Sequence, residues 1–105
     1  MAYEDLEPKE FLAAYQQAGD AAILLDVRTA PEIEEENIDG HIAIDIQQPG
    51  FTEKVKELPK DKAIFIYCRS GNRSGQACRY LATQGYDKLY NLKGGMIAWV
   101  NTDFE

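Results

Sequence analysis

A cysteine, Cys68, follows directly on the apolar run Ala63–Tyr67, and the next six residues are Arg69, Ser70, Gly71, Asn72, Arg73 and Ser74. These residue types at this spacing can do chemistry together. A thiolate is a nucleophile and a thiol is not, so a reactive cysteine needs surroundings that favour negative charge. Gly71 and Asn72 tolerate positive φ, which lets a short loop turn its N–H groups inward. A helix that begins near Arg73 or Ser74 adds its free N–H groups and the positive end of its dipole. Arg69 and Arg73 contribute cationic charge, and Ser70 and Ser74 can bond the sulfur or cap the helix. The expectation is a cradle for a small anion around an ionisable Cys68. The plainer alternative is a buried structural cysteine before an ordinary basic turn. The strand end, glycine, two arginines and helix start, all within a dozen residues, weigh against it.

The elements that must hold this loop can be read from periodicity. Pro8–Ala18 carries Phe11, Leu12 and Tyr15 at helical spacing, with Pro8 at its start and Gly19 as a stop. Residues 22–27 (AILLDV) form a short continuous apolar run that suits a strand covered on both faces. Residues 42–46 (IAIDI) are a second such run, and Ala63–Tyr67 (AIFIY) is the third and strongest. Residues 51–58 read as a helix ended by Pro59, and residues 74–83 as a helix with Ala77, Cys78, Leu81 and Ala82 inward and Gly85 at its C-cap. Leu89–Leu92 is a fourth strand, Gly94 and Gly95 turn the chain into a short helix at residues 96–100, and residues 3–6 offer a weak fifth strand. Strands alternating with helices predict an α/β fold, with a small, mainly parallel sheet of four to five strands and helices on both faces. Such sheets bind ligands beyond the carboxyl ends of their strands, where Cys68 stands.

The 105 residues suit one domain spanning 1–105, and the 45% apolar content argues against wholesale disorder. A net charge of −7 disfavours nucleic acid and anionic membrane as partners. No run is long enough to span a bilayer and the amino terminus has no apolar signal region, so a cytoplasmic location is the default. The acidic residues Glu32, Glu34, Glu35, Glu36 and Asp39 read as a solvated surface segment. Two cysteines make no disulfide framework, and one histidine without a paired CxxC disfavours a metal site. Nothing advertises an interface, so a monomer is the default.

Three segments, DVRTAPE at 26–32, YCRSGNRS at 67–74 and NLKGGMIAW at 91–99, together resemble the rhodanese homology domain, in order and across almost the whole chain. The resemblance is to a stand-alone, single-domain sulfurtransferase. It implies that Cys68 attacks the outer sulfur of a small anionic donor such as thiosulfate, carries it as a persulfide, and passes it to cyanide, a thiol or a protein acceptor. No metal or organic cofactor is implied. Related phosphatases and arsenate reductases of this fold place five residues between cysteine and arginine, whereas four separate Cys68 from Arg73 here. The shorter loop makes a smaller cradle, better suited to one sulfur atom than to a phosphoryl group. Tyr67 also stands where the phosphatases carry histidine. Rhodanese-like domains that serve as interaction modules commonly lack the cysteine, which leaves a sulfur relay to a protein partner as a further alternative, with the acidic 32–39 segment as its docking surface.

By the same resemblance, Asp26 and Arg28 match the family's Asp-x-Arg and are expected to support the loops by charge-assisted hydrogen bonds rather than to act chemically. Counting from Arg28 without a gap puts the family's histidine position at Asn37, so His41 reads as an ordinary loop residue despite its Gly-His-Ile setting. Cys78, ten positions after Cys68 on the inward face of the next helix, reads as core. Gly94 and Gly95 would allow close approach to the cysteine loop, and Trp99 would anchor the last helix.

Overall fold

The computed structural model describes residues 2–105. Its centre is the strand whose apolar run ends at Cys68. In chain order the elements are β1 Glu4–Leu6, α1 Pro8–Ala18, a 3₁₀ turn Gly19–Ala21, β2 Ala22–Asp26, α2 Ala30–Glu35, β3 Ile42–Ala43, α3 Phe51–Val55, β4 Ala63–Tyr67, α4 Asn72–Thr83, β5 Leu89–Leu92 and α5 Gly95–Val100. All five strands are parallel, in the order β1-β5-β4-β2-β3. The weak strand at the amino terminus is therefore real, and it pairs with β5 from Glu4↔Tyr90 to Leu6↔Leu92.

Strand alternation explains both the unbroken apolar run of β4 and the direction of the cysteine. Successive side chains of a strand leave opposite faces. Ile64, Ile66 and Cys68 pack on one face with Val55, Leu58, Ala77, Cys78 and Leu81 of α3, α4 and the turn after α3. Ala63, Phe65 and Tyr67 pack on the other with Phe11 of α1 and Met96 of α5. Both faces are covered, so every residue of β4 is buried. The parity that buries Ile64 and Ile66 also aims the side chain of residue 68 toward α4. The register Asp26↔Tyr67 brings the ends of β2 and β4 level, which sets Asp26 and Arg28 at the same sheet end as Cys68.

Three expectations need correction. The strand expected over 42–46 is regular only at Ile42–Ala43, where both residues are exposed at the sheet edge. Its continuation still follows β2 through Ile44 N–H to Asp26 O (3.0 Å) and Ile46 N–H to Val27 O (3.1 Å). The helix expected to reach residue 58 ends at Val55 and tightens into turns, with Leu58 N–H on Val55 O at 3.1 Å. The Tyr86 hydroxyl donates to the Val55 and Leu58 carbonyls and so caps this end from across the core. Third, α2 was not anticipated. Its sequence signal is Thr29-x-x-Glu32 with Pro31 in the first turn, a capping box in which the Thr29 side chain and the Glu32 side chain each satisfy the other's backbone N–H.

Candidate functional site

β4 delivers Cys68, and the chain turns immediately into α4. Gly71, the residue before the helix, has φ +100°, and a Cβ there would lie 3.3 Å from the Gly94 nitrogen and 3.4 Å from the Leu92 carbonyl oxygen. A side chain would be both strained and crowded at this point. This tight turn lets Gly71 N–H donate to Cys68 Sγ at 3.1 Å, while the Ser74 hydroxyl donates to the same sulfur at 3.2 Å. The first intrahelical bond of α4 is Gly75 N–H to Gly71 O (3.0 Å), so the N–H groups of Asn72, Arg73 and Ser74 have no acceptor within the helix. The sulfur thus lies at the positive end of a 12-residue helix and already receives two hydrogen bonds.

A second wall comes from α5. Met96 N–H donates to Cys68 O at 2.9 Å and Ile97 N–H to Arg69 O at 3.0 Å, so the start of α5 holds the carbonyls of the cysteine loop. This contact requires Gly95. With φ +58°, its Cβ would fall 2.6 Å from Cys68 O and closer still to the Arg69 carbonyl group. The expectation that the Gly94-Gly95 pair permits close approach is met at Gly95.

The two arginines of the loop differ. Arg73 is held in a bidentate pair by Glu32, Nη1 to Oε1 and Nη2 to Oε2, both at 2.8 Å. Glu32 is therefore not part of a merely solvated acidic segment. It closes the α2 cap and fixes Arg73, and the Arg73 hydrogen bond, opposed by partial burial, draws its carboxyl down to about 2. Arg69 is exposed, and its guanidinium has no hydrogen-bond or ion-pair partner among the described residues. The cradle's uncommitted cation is Arg69, and Arg73 is largely neutralised. Ser70 and Asn72 face a separate shallow cleft on the far side of the loop, beside Tyr3, Asp5 and Arg79.

Asp26 and Arg28 form a buried pair, with Nη2 to Oδ2 at 2.8 Å and Nε to Oδ1 at 3.0 Å. Arg28 then reaches the Glu32 carbonyl (3.3 Å) and the Glu36 carbonyl (2.7 Å), tying off the last turn of α2. Its guanidinium lies 5.4 Å from the centre of the Tyr67 ring. The Tyr67 hydroxyl accepts from Ile38 N–H at 3.1 Å, and burial raises its pKa well above the ordinary phenol value. These three residues brace α2 and the chain that follows it, at the sheet end from which the cysteine loop leaves.

Sequence reasoning missed Asn91. Its Nδ2 donates to Gly71 O (3.2 Å) and to Asp5 Oδ1 (2.8 Å), tying the loop to β5 and β1. The signal was a buried amide inside the strand Leu-Tyr-Asn-Leu. Asn37, in contrast, is exposed and donates to the Ile33 carbonyl (3.0 Å), and His41 Nδ1 lies 2.9 Å from the Ile38 carbonyl. Cys78 is a free thiol fully enclosed in the core, and burial pushes it up to about 12. Trp99 packs edge-on against Phe11 and holds α5 to α1.

Cys68 itself has no exposed surface. The cradle expected around it is therefore closed to solvent in this conformation. Beside it, α2 and α5 enclose a cleft of about 210 Å³ that includes Arg28, Glu32 and Arg69. Among the described residues no cluster of His, Cys, Asp and Glu could hold a metal ion, and no helix is long and apolar enough to cross a membrane.

Comparison with known proteins places this geometry. The profile of the family described as "Rhodanese-like domain" matches residues 7–102. A sulfurtransferase from Allochromatium vinosum is 46% identical over 77 residues, covering 73% of this chain and 70% of that protein. The thiosulfate sulfurtransferase GlpE of Pseudomonas syringae is 30% identical over 95 residues, covering 90% of this chain and 86% of that protein. Among solved structures, a rhodanese-related protein from Thermoplasma volcanium superposes with a TM-score of 0.83 at 27% identity, covering 98% of this chain and 96% of that one.

Proposed function

The chain belongs to the family of rhodanese-like domains, among relatives named as sulfurtransferases, and from that premise we propose that it moves sulfane sulfur through a persulfide on Cys68. The observation that carries the proposal is the sulfur receiving N–H and O–H donors at the start of α4. Donors fixed before the reaction stabilise charge on sulfur without reorganising during it.

Written with protons on sulfur, the first half-reaction converts thiol and thiosulfate into persulfide and sulfite. The Cys68 sulfur attacks the outer sulfur of the donor, a new S–S bond forms, and the donor's S–S bond breaks with its electron pair leaving on sulfite. In the second half, cyanide or a thiol attacks the outer sulfur and the electron pair of the S–S bond returns to Cys68. Persulfide plus cyanide gives thiol plus thiocyanate, and no external oxidant or reductant enters. Arg69 attracts the anionic donor, Gly71 N–H and the Ser74 hydroxyl hold the sulfur, and the free N–H groups of Asn72, Arg73 and Ser74 receive the outer sulfur. Arg73, paired with Glu32, keeps the loop's shape.

Because Cys68 is covered, the reaction requires the rim of the loop to part before a donor enters. Arg69, exposed and without an ion-pair partner among the described residues, is the side chain at that rim. Thiosulfate as donor draws support from the named activity of the GlpE relative. The test is thiocyanate formation from thiosulfate and cyanide by the wild type and by Cys68→Ser. Turnover by the wild type that vanishes in the variant supports the proposal, and equal turnover in both contradicts it.

A further inference from the structure

The cleft between α2 and α5 is unlike the rest of the surface. Among the described residues, large hydrophobic side chains are exposed at four places, and two of them, Ile97 (48%) and Val100 (52%), face this one cleft from α5. Met96 lies beneath them, almost wholly buried. The opposite wall is α2 and its end, where Glu35 and Glu36 are exposed.

The charges in the cleft are not equivalent. Arg28 is matched by Asp26, and Glu32 by Arg73. Among the described residues, Glu35 and Glu36 at the rim and Arg69 beside the cysteine have no ion-pair partner. The cleft adjoins the cysteine loop without reaching the sulfur: Arg69 lines it, and Met96 and Ile97, on its α5 wall, donate their N–H groups to the Cys68 and Arg69 carbonyls.

We infer that this cleft docks the sulfur acceptor, and that the acceptor is a cysteine in a protein segment carrying an apolar residue and flanking lysine or arginine. The apolar residue covers Ile97 and Val100, the flanking cations meet Glu35 and Glu36, and Arg69 draws the acceptor thiolate toward Cys68. This rests on the persulfide reading above. The transfer step balances in the same way: the acceptor thiolate attacks the outer sulfur of the Cys68 persulfide, one S–S bond forms as another breaks, and Cys68 leaves as thiolate. Glutathione, a thiol of net negative charge, fits this rim poorly.

The experiment uses thiosulfate as donor and four acceptors: cyanide, glutathione, a short peptide with lysine and leucine flanking a cysteine, and the same peptide with glutamate in place of lysine. The basic peptide is expected to exceed the acidic one in kcat/KM by on the order of tenfold at low salt, the scale of two exposed ion pairs acting together, with the margin shrinking as salt is added. In Glu35→Lys/Glu36→Lys the preference inverts. In Val100→Ser both peptides slow while cyanide turnover stays unchanged, which also shows that the variant folds. Equal use of both peptides, or a preference that survives charge reversal, overturns the docking inference while leaving sulfur transfer to cyanide intact. Absence of thiocyanate from the wild type would overturn the persulfide reading instead.

Discussion

Replacing Gly95 by alanine should damage the loop through a single methyl group. At φ +58° an added Cβ falls 2.6 Å from Cys68 O, about 0.8 Å inside the 3.4 Å at which ordinary contact begins, and closer to the Arg69 carbonyl. Those are backbone atoms, so the crowding is relieved only if α5 and the cysteine loop separate, which breaks the Met96–Cys68 and Ile97–Arg69 hydrogen bonds. A left-handed conformation at a residue with a side chain costs about 1–2 kcal/mol. Overpacking adds about 1–3 kcal/mol. Gly95→Ala should therefore lose about 2–5 kcal/mol, lowering Tm by roughly 4 °C or more for each kcal/mol. Gly50→Ala supplies the control: its φ is +87°, but the nearest atom to its Cβ is 3.9 Å away, so only the conformational part applies. A sub-ångström shift of a reacting group can cost on the order of tenfold to a hundredfold in rate. Denaturation curves and persulfide formation rates should separate the two variants on both counts. Should Gly95→Ala match Gly50→Ala in stability and in rate, the argument that α5 clamps the loop fails.

Other perturbations have outcomes that can be stated as firmly. Arg28→Met leaves Asp26 buried and unpaired and the Glu32 and Glu36 carbonyls without their donor; the loss should be about 3–5 kcal/mol by urea unfolding, far above that of a surface arginine. Tyr67→Phe strands the buried Ile38 N–H, costing about 1–3 kcal/mol in the same measurement. The Glu32 carboxyl has a folded value of about 2 against 4.5 when free, so its contribution is fully present above pH 4.5 and disappears as pH falls through 2. The stability gap between wild type and Glu32→Gln should accordingly narrow over that interval, and a gap constant with pH would contradict the bidentate pair. Cys78, pushed up to about 12, should resist iodoacetamide at pH 8 in the folded state, and mass mapping after digestion checks this.

The architecture was largely legible because its signals are local. The continuous apolar runs of β2 and β4 require cover on both faces, and that requirement alone places helices on both sides of the sheet. Cys68 was legible for the same reason, as the residue after a buried strand and before a helix. The pairing of Arg73 with Glu32 was not, since 41 positions separate them and only the α2 capping box brings Glu32 to the loop. That box was present as Thr29, Pro31 and Glu32, but the run of acidic residues around it reads as solvent-facing and conceals it. Asn91 was obscured by its setting in an apolar strand, where its partner Asp5 lies 86 positions away. The edge strand was overextended because apolar content reports burial: Ile44 and Ile46 pack on the core and still bond β2, but the regular strand ends at Ala43. The burial of Cys68 depends on tertiary packing, which no local pattern encodes.

The central claim is that Cys68 carries the sulfur, and intact-protein mass spectrometry after incubation with thiosulfate tests it most directly. The account predicts one added sulfur atom in the wild type and in Cys78→Ser, removed by cyanide and never acquired by Cys68→Ser. Wild-type protein that gains no sulfur, or that gains it in Cys68→Ser as readily, would contradict it.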